Sequence, residues 1–294
     1  MDIDTENRIA NLPCWQNQID IEPLGGGMTN LNFKVIDGAA RYVVRLGEDD
    51  PIHLISRANE IASCEAAYKI GVSPELVYHE SGMLVVRFVE GKVYQESDVR
   101  EPDNLPRIIK VLKRFHREVP RHFKQIPVMF WVFQVLRHYH NLIATGDSAH
   151  HARLEALSRI STELEQAVGP VEIVFGHNDL LAANFIDDGE QIWLIDFDYT
   201  GFNSPLFDLS NLASNNELDT DQEQRMLEQY FETELDQGRL ESYHAMKCAS
   251  LLRETMWSMV SELHSRVDMD FAEYTAMNLA RFESVYSDYQ HNKA

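Results

Sequence analysis

Short apolar runs separated by turn residues occupy the first ninety residues, and this pattern is typical of β-strands. Asp37-Gly38, between two of the runs, is a strong signal for a hairpin turn. One longer segment, residues 51–70, is predicted as a helix that Gly71 caps and Pro74 prevents from continuing. The predicted strands are residues 19–24, 31–36, 41–46, 75–78 and 83–88.

Beyond residue 90 the pattern becomes mainly helical, after a short connector at residues 89–92. A strand at 171–175 and a hairpin of 184–186 with 191–195 interrupt the helices, which are predicted at 104–118, 127–144, 151–168 and from 204 onwards. We therefore predict an α+β fold with two unlike lobes, a sheet lobe of residues 1–90 and a helical lobe of residues 91–294. Ligands commonly bind in the cleft at such a junction.

Composition narrows the class of protein. The 294 residues include 47 acidic and 26 basic ones, and the formal net charge of −21 argues against binding to nucleic acid or anionic membranes. No apolar run approaches the roughly 18 residues of a membrane span, and the acidic start lacks the layout of a signal peptide. We therefore expect a cytoplasmic protein without membrane insertion. Three widely spaced cysteines predict neither a disulfide framework nor a zinc site.

Polar residues cluster where two predicted strands of the second lobe end. His177 and Asp179 follow one strand, Asn184 comes five residues after Asp179, and Asp196 directly follows the next strand. Phosphoryl transfer needs such a set, because one carboxylate orients the acceptor hydroxyl while a carboxylate and an amide oxygen hold Mg²⁺. Turn formation alone would explain either group, but both together at this spacing favour a catalytic centre.

The spacing His-x-Asp-(x4)-Asn, followed by Ile-Asp-Phe, resembles the catalytic and metal-binding loops of protein-kinase-like enzymes. The form His-Asn-Asp-Leu is similar to the choline/ethanolamine kinase branch of the aminoglycoside-phosphotransferase-like families. This resemblance implies a bilobal protein-kinase-like fold that uses ATP and Mg²⁺. It makes Asp179 the catalytic base, Asn184 and Asp196 the magnesium ligands, and His177 and Asp208 braces for the loops.

The nucleotide is expected to bind at a glycine-rich loop between two predicted strands. Glycine backbone can approach a phosphate closely and donate amide hydrogen bonds to it. The segment GGGMTNLNFKV resembles the corresponding choline-kinase loop, which assigns Gly25, Gly26, Gly27, Met28, Thr29 and Asn30 to the nucleotide. Arg45 occupies the phosphate-binding position of the following strand. The resemblance selects Glu60 as its helix partner, but Glu65 falls inside the apolar stripe of that helix and is left open as an alternative.

The acceptor is expected to bind beside Asp196. Tyr199 would present its ring to a quaternary ammonium group, and Asp198 would add negative potential. Trp257 lies beside the apolar stripe of a predicted helix and would wall the pocket. The C-terminal segments TMWSMVSEL and MDFAEYTAMNLARFESVY resemble the choline-binding region of the family. Glu254 stands where the family often has another tryptophan, and its charge would attract a cation.

These features predict an ATP- and Mg²⁺-dependent phosphotransferase that acts on the hydroxyl of a small amino alcohol, with choline or ethanolamine expected first. A kinase for thiamine, an aminoglycoside or another small alcohol is the alternative within enzymes. A catalytically silent pseudokinase that binds nucleotide is the alternative outside them. Assembly into a homodimer is left open.

Overall fold

The N-terminal strands form one antiparallel sheet with the order β1-β2-β3-β5-β4. The computed structural model describes residues 3–25, 30–265, 267 and 269–293. Gly38, at φ +61°, makes the tight turn of the hairpin in which Asp37 faces Ala40, as predicted. The first elements are α1 (Ile3–Ala10), β1 (Ile19–Leu24), β2 (Leu31–Asp37), β3 (Ala40–Leu46), α2 (Arg57–Lys69), β4 (Leu76–Glu80) and β5 (Met83–Arg87).

Helix α2 begins later than the sequence predicts, at Arg57 instead of residue 51. Asp50 and Ile55 exchange two backbone hydrogen bonds, and the Asp50 carboxylate also accepts from the backbone N–H of Ile52. These bonds close a local turn. Because the backbone groups are engaged in the turn, they cannot form the hydrogen bonds of a helix. At the other end Gly71, at φ +69°, donates its N–H to the carbonyl of Tyr68 and confirms the predicted cap.

The remaining chain is mainly helical, and the helices Asn104–Glu118 and His151–Val168 have the predicted bounds. Helix α5 begins at Val132, five residues later than predicted, because Val128 and Phe130 form backbone hydrogen bonds with Phe202. Four short elements were not predicted: the helices Ile3–Ala10 and Glu96–Val99 and the strands Lys92–Val93 and Gly201–Asn203. The elements are β6 (Lys92–Val93), α3 (Glu96–Val99), α4 (Asn104–Glu118), α5 (Val132–Thr145), α6 (His151–Val168), β7 (Val174–Gly176), β8 (Phe185–Asp187), β9 (Ile192–Leu194), β10 (Gly201–Asn203), α7 (Pro205–Asn215), α8 (Thr220–Phe231), α9 (Gln237–His264) and α10 (Phe271–Lys293).

Buried apolar side chains form two clusters. The smaller one lies under the sheet, between its strands and Ile9 of α1. The larger one fills the helical lobe and includes Ala66, Ala67 and Ile70 from the α2 region. Helix α2 therefore packs on the helical lobe although it precedes residue 90, and the lobe boundary at that residue stays a prediction. Among the described residues no helix is long and apolar enough to cross a membrane.

Helix α9 runs through the middle of the helical lobe and packs against α5, α6, α7 and α10. Neighbours on all sides explain why most residues from Tyr243 to Ser261 are buried. A polar side chain in this stretch is consequently enclosed by the protein, and this applies to Arg253, which is 2% exposed.

Candidate active site

The loop after β7 carries Asp179 and is held by a buried carboxylate of α7. Asn178 adopts a left-handed conformation at φ +66°, which sharpens the turn. The Asp208 carboxylate accepts the backbone N–H groups of His177 and Asn178, at 2.7 Å each. Its Oδ2 also accepts from His116 Nε2 of α4 at 2.8 Å. The predicted bracing role of Asp208 is confirmed, whereas His116 was not predicted.

His177 ties this loop to the one after β9. Its Nε2 donates a hydrogen bond to the carbonyl oxygen of Ile195 at 2.9 Å. Burial lowers the pKa of His177, and its Nδ1 has no hydrogen-bond partner among the described residues. The ring is therefore neutral and joins two loops, as the predicted structural role requires.

Further hydrogen bonds connect the loops that carry the three side chains expected to be catalytic. Asn184 Nδ2 donates to the carbonyl oxygen of Asp179 at 2.9 Å, and the N–H of Ile195 donates to the carbonyl oxygen of Asn184 at 3.0 Å. Asn184 and Asp196 line one cavity. Because its amide nitrogen is engaged, Asn184 turns its Oδ1 away from the Asp179 carbonyl, and this oxygen can bind a cation.

Asp196 and Asn184 offer Mg²⁺ the oxygen ligands that it prefers in proteins. Asp196 has φ +66°, a strained left-handed conformation that is typical of functional loops. Burial by itself raises the pKa of Asp196, but the nearby Arg45 guanidinium reverses the effect and keeps the pKa below its usual value. No group of three or more His, Cys, Asp or Glu side chains among the described residues could hold a metal ion. A cation here would need phosphate oxygens and water to complete its coordination.

Asp179 has an environment suited to accepting a proton. Burial raises its pKa to about 8; Arg253 opposes the rise, and Glu254 and Asp196 add to it. A carboxylate whose pKa lies near neutrality is a stronger base than an ordinary aspartate. A cation bound between Asn184 and Asp196 would lower this pKa again.

Arg45 on β3 pairs with Glu60 of α2, at 2.7 Å between Nη1 and Oε1. The Glu60 side chain is 2% exposed. Glu65 lies on the surface, 3.8 Å from Lys124. The pairing left open by the sequence is therefore with Glu60. Arg45 Nη1 also lies 3.0 Å from Oδ1 of Asp196, so the ion pair reaches the candidate metal ligand.

A second arginine, Arg57, joins this cluster and was not predicted. Its Nη1 lies 2.6 Å from Oε2 of Glu60 and 2.6 Å from Oδ1 of Asp198. Asn30 accepts from Nη2 of Arg57 and donates to Oδ2 of Asp198. The only sequence signal was a basic residue three positions before Glu60 at the start of a helix, which is a common surface pattern.

Asp198 therefore faces the arginines and not the acceptor side, where the sequence placed it. Its Oδ1 also accepts from Arg45 at 3.1 Å, and the carboxylate is almost fully buried. It links the loop after β9 to Asn30 at the end of the glycine-rich segment. The structure supports a positioning role for Asp198 and corrects its assignment as an acceptor residue.

The cavity beside Arg45 has a volume of about 310 Å³ and a mostly apolar wall. Its apolar side chains come from the sheet, the connector and the hairpin of the second lobe: Leu24, Val43, Leu84, Val86, Phe88, Val93, Ile186 and Ile195. Gly25 lies at its rim, whereas Gly26, Gly27, Met28 and Thr29 lie outside the described residues. An apolar slot with Arg45 in its wall suits a nucleoside polyphosphate.

On the acceptor side the structure brings Tyr199 and Trp257 together. The indole N–H of Trp257 donates to the Tyr199 hydroxyl at 3.0 Å. The Arg253 guanidinium lies 4.6 Å from the centre of the Tyr199 ring. Arg253 therefore covers one face of the Tyr199 ring, and the role of this ring in binding an ammonium group stays a prediction. Glu254 accepts from Arg253 Nη1 at 2.8 Å and from the Tyr274 hydroxyl at 2.9 Å.

A family model described as choline/ethanolamine kinase matches residues 21–234. The chain belongs to this family. Family membership confirms the prediction of a small-molecule kinase that uses ATP. A similar relative is a probable ethanolamine kinase from Arabidopsis thaliana, 29% identical over 208 residues, which cover 65% of this chain and 54% of that protein.

Solved structures of family members have the same fold. A choline/ethanolamine kinase family protein from Mesorhizobium loti matches with a TM-score of 0.78 at 24% identity, covering 96% of this chain and 93% of the other. Choline kinase LicA from Streptococcus pneumoniae matches with a TM-score of 0.78 at 22% identity, covering 98% of each chain. These matches confirm the predicted α+β kinase-like fold with a sheet lobe and a helical lobe.

Proposed function

We propose that this protein transfers the γ-phosphoryl group of ATP, with Mg²⁺, to the hydroxyl of a small amino alcohol. The observation that supports the proposal is that short hydrogen bonds connect the loops that carry Asp179, Asn184 and Asp196. Family membership supports the same chemistry.

The roles of the residues follow from their positions. Asn184 Oδ1 and the Asp196 carboxylate would hold Mg²⁺, which neutralises charge on the phosphates when bound. Arg45, fixed by Glu60, lines the cavity and can form hydrogen bonds with phosphate oxygens. Asp179 orients the acceptor hydroxyl for in-line attack and takes its proton, aided by its raised pKa.

An amino alcohol fits the acidic side chains near Asp179. Glu254 is close enough to influence the Asp179 carboxylate and can attract an ammonium group. Ethanolamine and choline are the acceptors named in relatives of the chain. Ethanolamine is favoured of the two, because Arg253 covers the aromatic face that a quaternary ammonium group would use. Cytoplasmic location and homodimer formation stay predictions.

An ADP-release assay tests the proposal, with ethanolamine, choline, thiamine and an aminoglycoside each offered with ATP and Mg²⁺. We expect turnover of an amino alcohol that stops when EDTA removes Mg²⁺. The matched control is Asp179→Asn, which keeps the size of the side chain but removes its basicity. Nucleotide binding without turnover of any acceptor would favour a silent pseudokinase, and near-normal turnover by the variant would remove Asp179 from its role.

A further inference from the structure

Arg253 is a buried cation with unused hydrogen-bonding capacity. It lies on α9 and is 2% exposed. Its Nη1 donates to Glu254, but its Nε and Nη2 have no hydrogen-bond partner among the described residues. Arginine in an interior normally satisfies its planar fork of donors, because an unmet buried donor is costly. Two unmet donors on one edge of the guanidinium indicate a group that is supplied from outside the chain.

The guanidinium lies at the acceptor side of the catalytic centre. It is stacked over Tyr199, at 4.6 Å from the ring centre, and lies 5.7 Å from the ring centre of Phe130. Tyr199 follows Asp196 by three residues, and its carbonyl accepts from Asn178 of the catalytic loop at 2.9 Å. The hydroxyl of Tyr139 is also buried without a partner among the described residues. Arg253, Tyr139 and Asp179 all influence the pKa of Tyr199, so the three side chains lie near this ring.

We propose that Arg253 binds a carboxylate of the acceptor, so that the preferred substrate is a zwitterionic hydroxy amino acid, with its ammonium group toward Glu254. Nε and Nη2 form one edge of a planar fork, which matches the two oxygens of a carboxylate. The inference rests on the proposed function and narrows its substrate class.

Charge balance favours a zwitterion over a simple amino alcohol. Arg253 and Glu254 form an ion pair at 2.8 Å, so this part of the site has no net charge from the two. A simple ammonium alcohol would bring a positive charge close to the guanidinium and leave its two donors unmet. A zwitterion adds no net charge, pairs with both residues and satisfies the donors.

Two matched pairs of acceptors isolate the carboxylate. Serine is ethanolamine with one carboxylate added, and homoserine is related in the same way to 3-aminopropan-1-ol. We expect kcat/KM of the parent protein to be about tenfold or more higher for the carboxylated member of at least one pair. Arg253→Gln is expected to reduce this ratio by about 10- to 100-fold. Arg253→Lys keeps the charge without the fork and is expected to give an intermediate ratio.

Arg239→Gln is the control, because Arg239 is also stacked on an aromatic ring, 4.3 Å from the centre of Phe231, and lies outside the active site. In this variant, the ratio of kcat/KM between the carboxylated acceptor and its partner should equal that of the parent protein. Stabilisation by ATP and Mg²⁺ in a thermal shift experiment shows that each variant is folded. If a variant does not fold, the proposal is tested by the parent protein alone, through its ratio of kcat/KM between the carboxylated acceptor and its partner.

The possible failures are distinguishable. A parent that phosphorylates ethanolamine or 3-aminopropan-1-ol better than its carboxylated partner overturns the role of Arg253 and leaves the proposed function intact. An unchanged kcat/KM ratio between the carboxylated acceptor and its partner in Arg253→Gln also overturns the role of Arg253 but not the proposed function. If that variant only gains activity on choline, the conclusion is the same, since Arg253 would then merely occlude the pocket. Absence of turnover with every acceptor, despite nucleotide binding, refutes the proposed function itself.

Discussion

Replacing Asp208 by asparagine should both destabilise the protein and slow the reaction. The carboxylate is 0% exposed and accepts hydrogen bonds from two backbone N–H groups of the catalytic loop and from His116. Burial by itself raises the pKa of Asp208, but His116 and the hydrogen bonds more than offset it, so the pKa is lowered and the group is ionised. Asparagine would place an NH₂ donor against N–H donors, and one contact would become repulsive.

The expected losses of stability and of kcat follow from these contacts. Breaking one side of a buried, hydrogen-bonded charge network costs about 3–5 kcal/mol. The entropy of unfolding is about 2.1 cal/mol/K per residue, so for a chain of this length the cost lowers the unfolding temperature by about 5–8 °C. The loop that carries Asp179 is expected to shift, and a displacement of about 1 Å there reduces kcat about 100-fold.

Thermal unfolding and steady-state ADP release measure the two effects on the same preparation. Asp288→Asn is the matched control, because Asp288 is an exposed aspartate on α10. It should unfold within about 1 °C of the parent, since surface substitutions are usually near neutral. An Asp208→Asn variant with the unfolding temperature and kcat of the parent would refute the reasoning, because the three hydrogen bonds would then contribute nothing to stability or to activity.

Three further predictions concern the site and its surroundings. Asp179→Asn should reduce kcat by about 10²–10⁴-fold while the Kd for ATP, measured by calorimetry, stays within about twofold. Glu60→Gln should lower kcat/KM for ATP by about tenfold or more because Arg45 loses its buried partner, whereas Glu65→Gln should match the parent protein; equal effects would contradict the assigned pairing. Hydrogen bonds from Arg107, above all, hold the pKa of Asp187 below its usual range, so its contribution to stability is present above pH ~4 and is lost as the pH falls toward the folded-state pKa. The difference in urea midpoint between the parent and Asp187→Asn should therefore be largest near pH 7 and shrink on acidification, and a constant difference would contradict the assignment.

Local order along the chain determined much of this protein. Strands β1, β2 and β3 and helices α4 and α6 lie within a residue of their predicted bounds, because apolar spacing and turn residues act over a few positions. The connection between the loops of Asp179, Asn184 and Asp196 was also predicted from the sequence, since these residues are close together along the chain and lie next to short strands. The brace formed by Asp208 was expected from the resemblance to the kinase family.

Only the tertiary structure decided which charges meet. Glu60 and Glu65 lie on one helix, and the choice between them depends on where α2 packs against β3 and the loop after β9. Asp198 follows Asp196 by two residues, yet its carboxylate faces the arginines of the first lobe. In the sequence, Arg253 is an ordinary polar residue of a predicted helix. In the structure it is a buried cation, because neighbouring helices surround α9. Such pairings join residues far apart in sequence, and their energies depend on burial and distance, which no local pattern encodes.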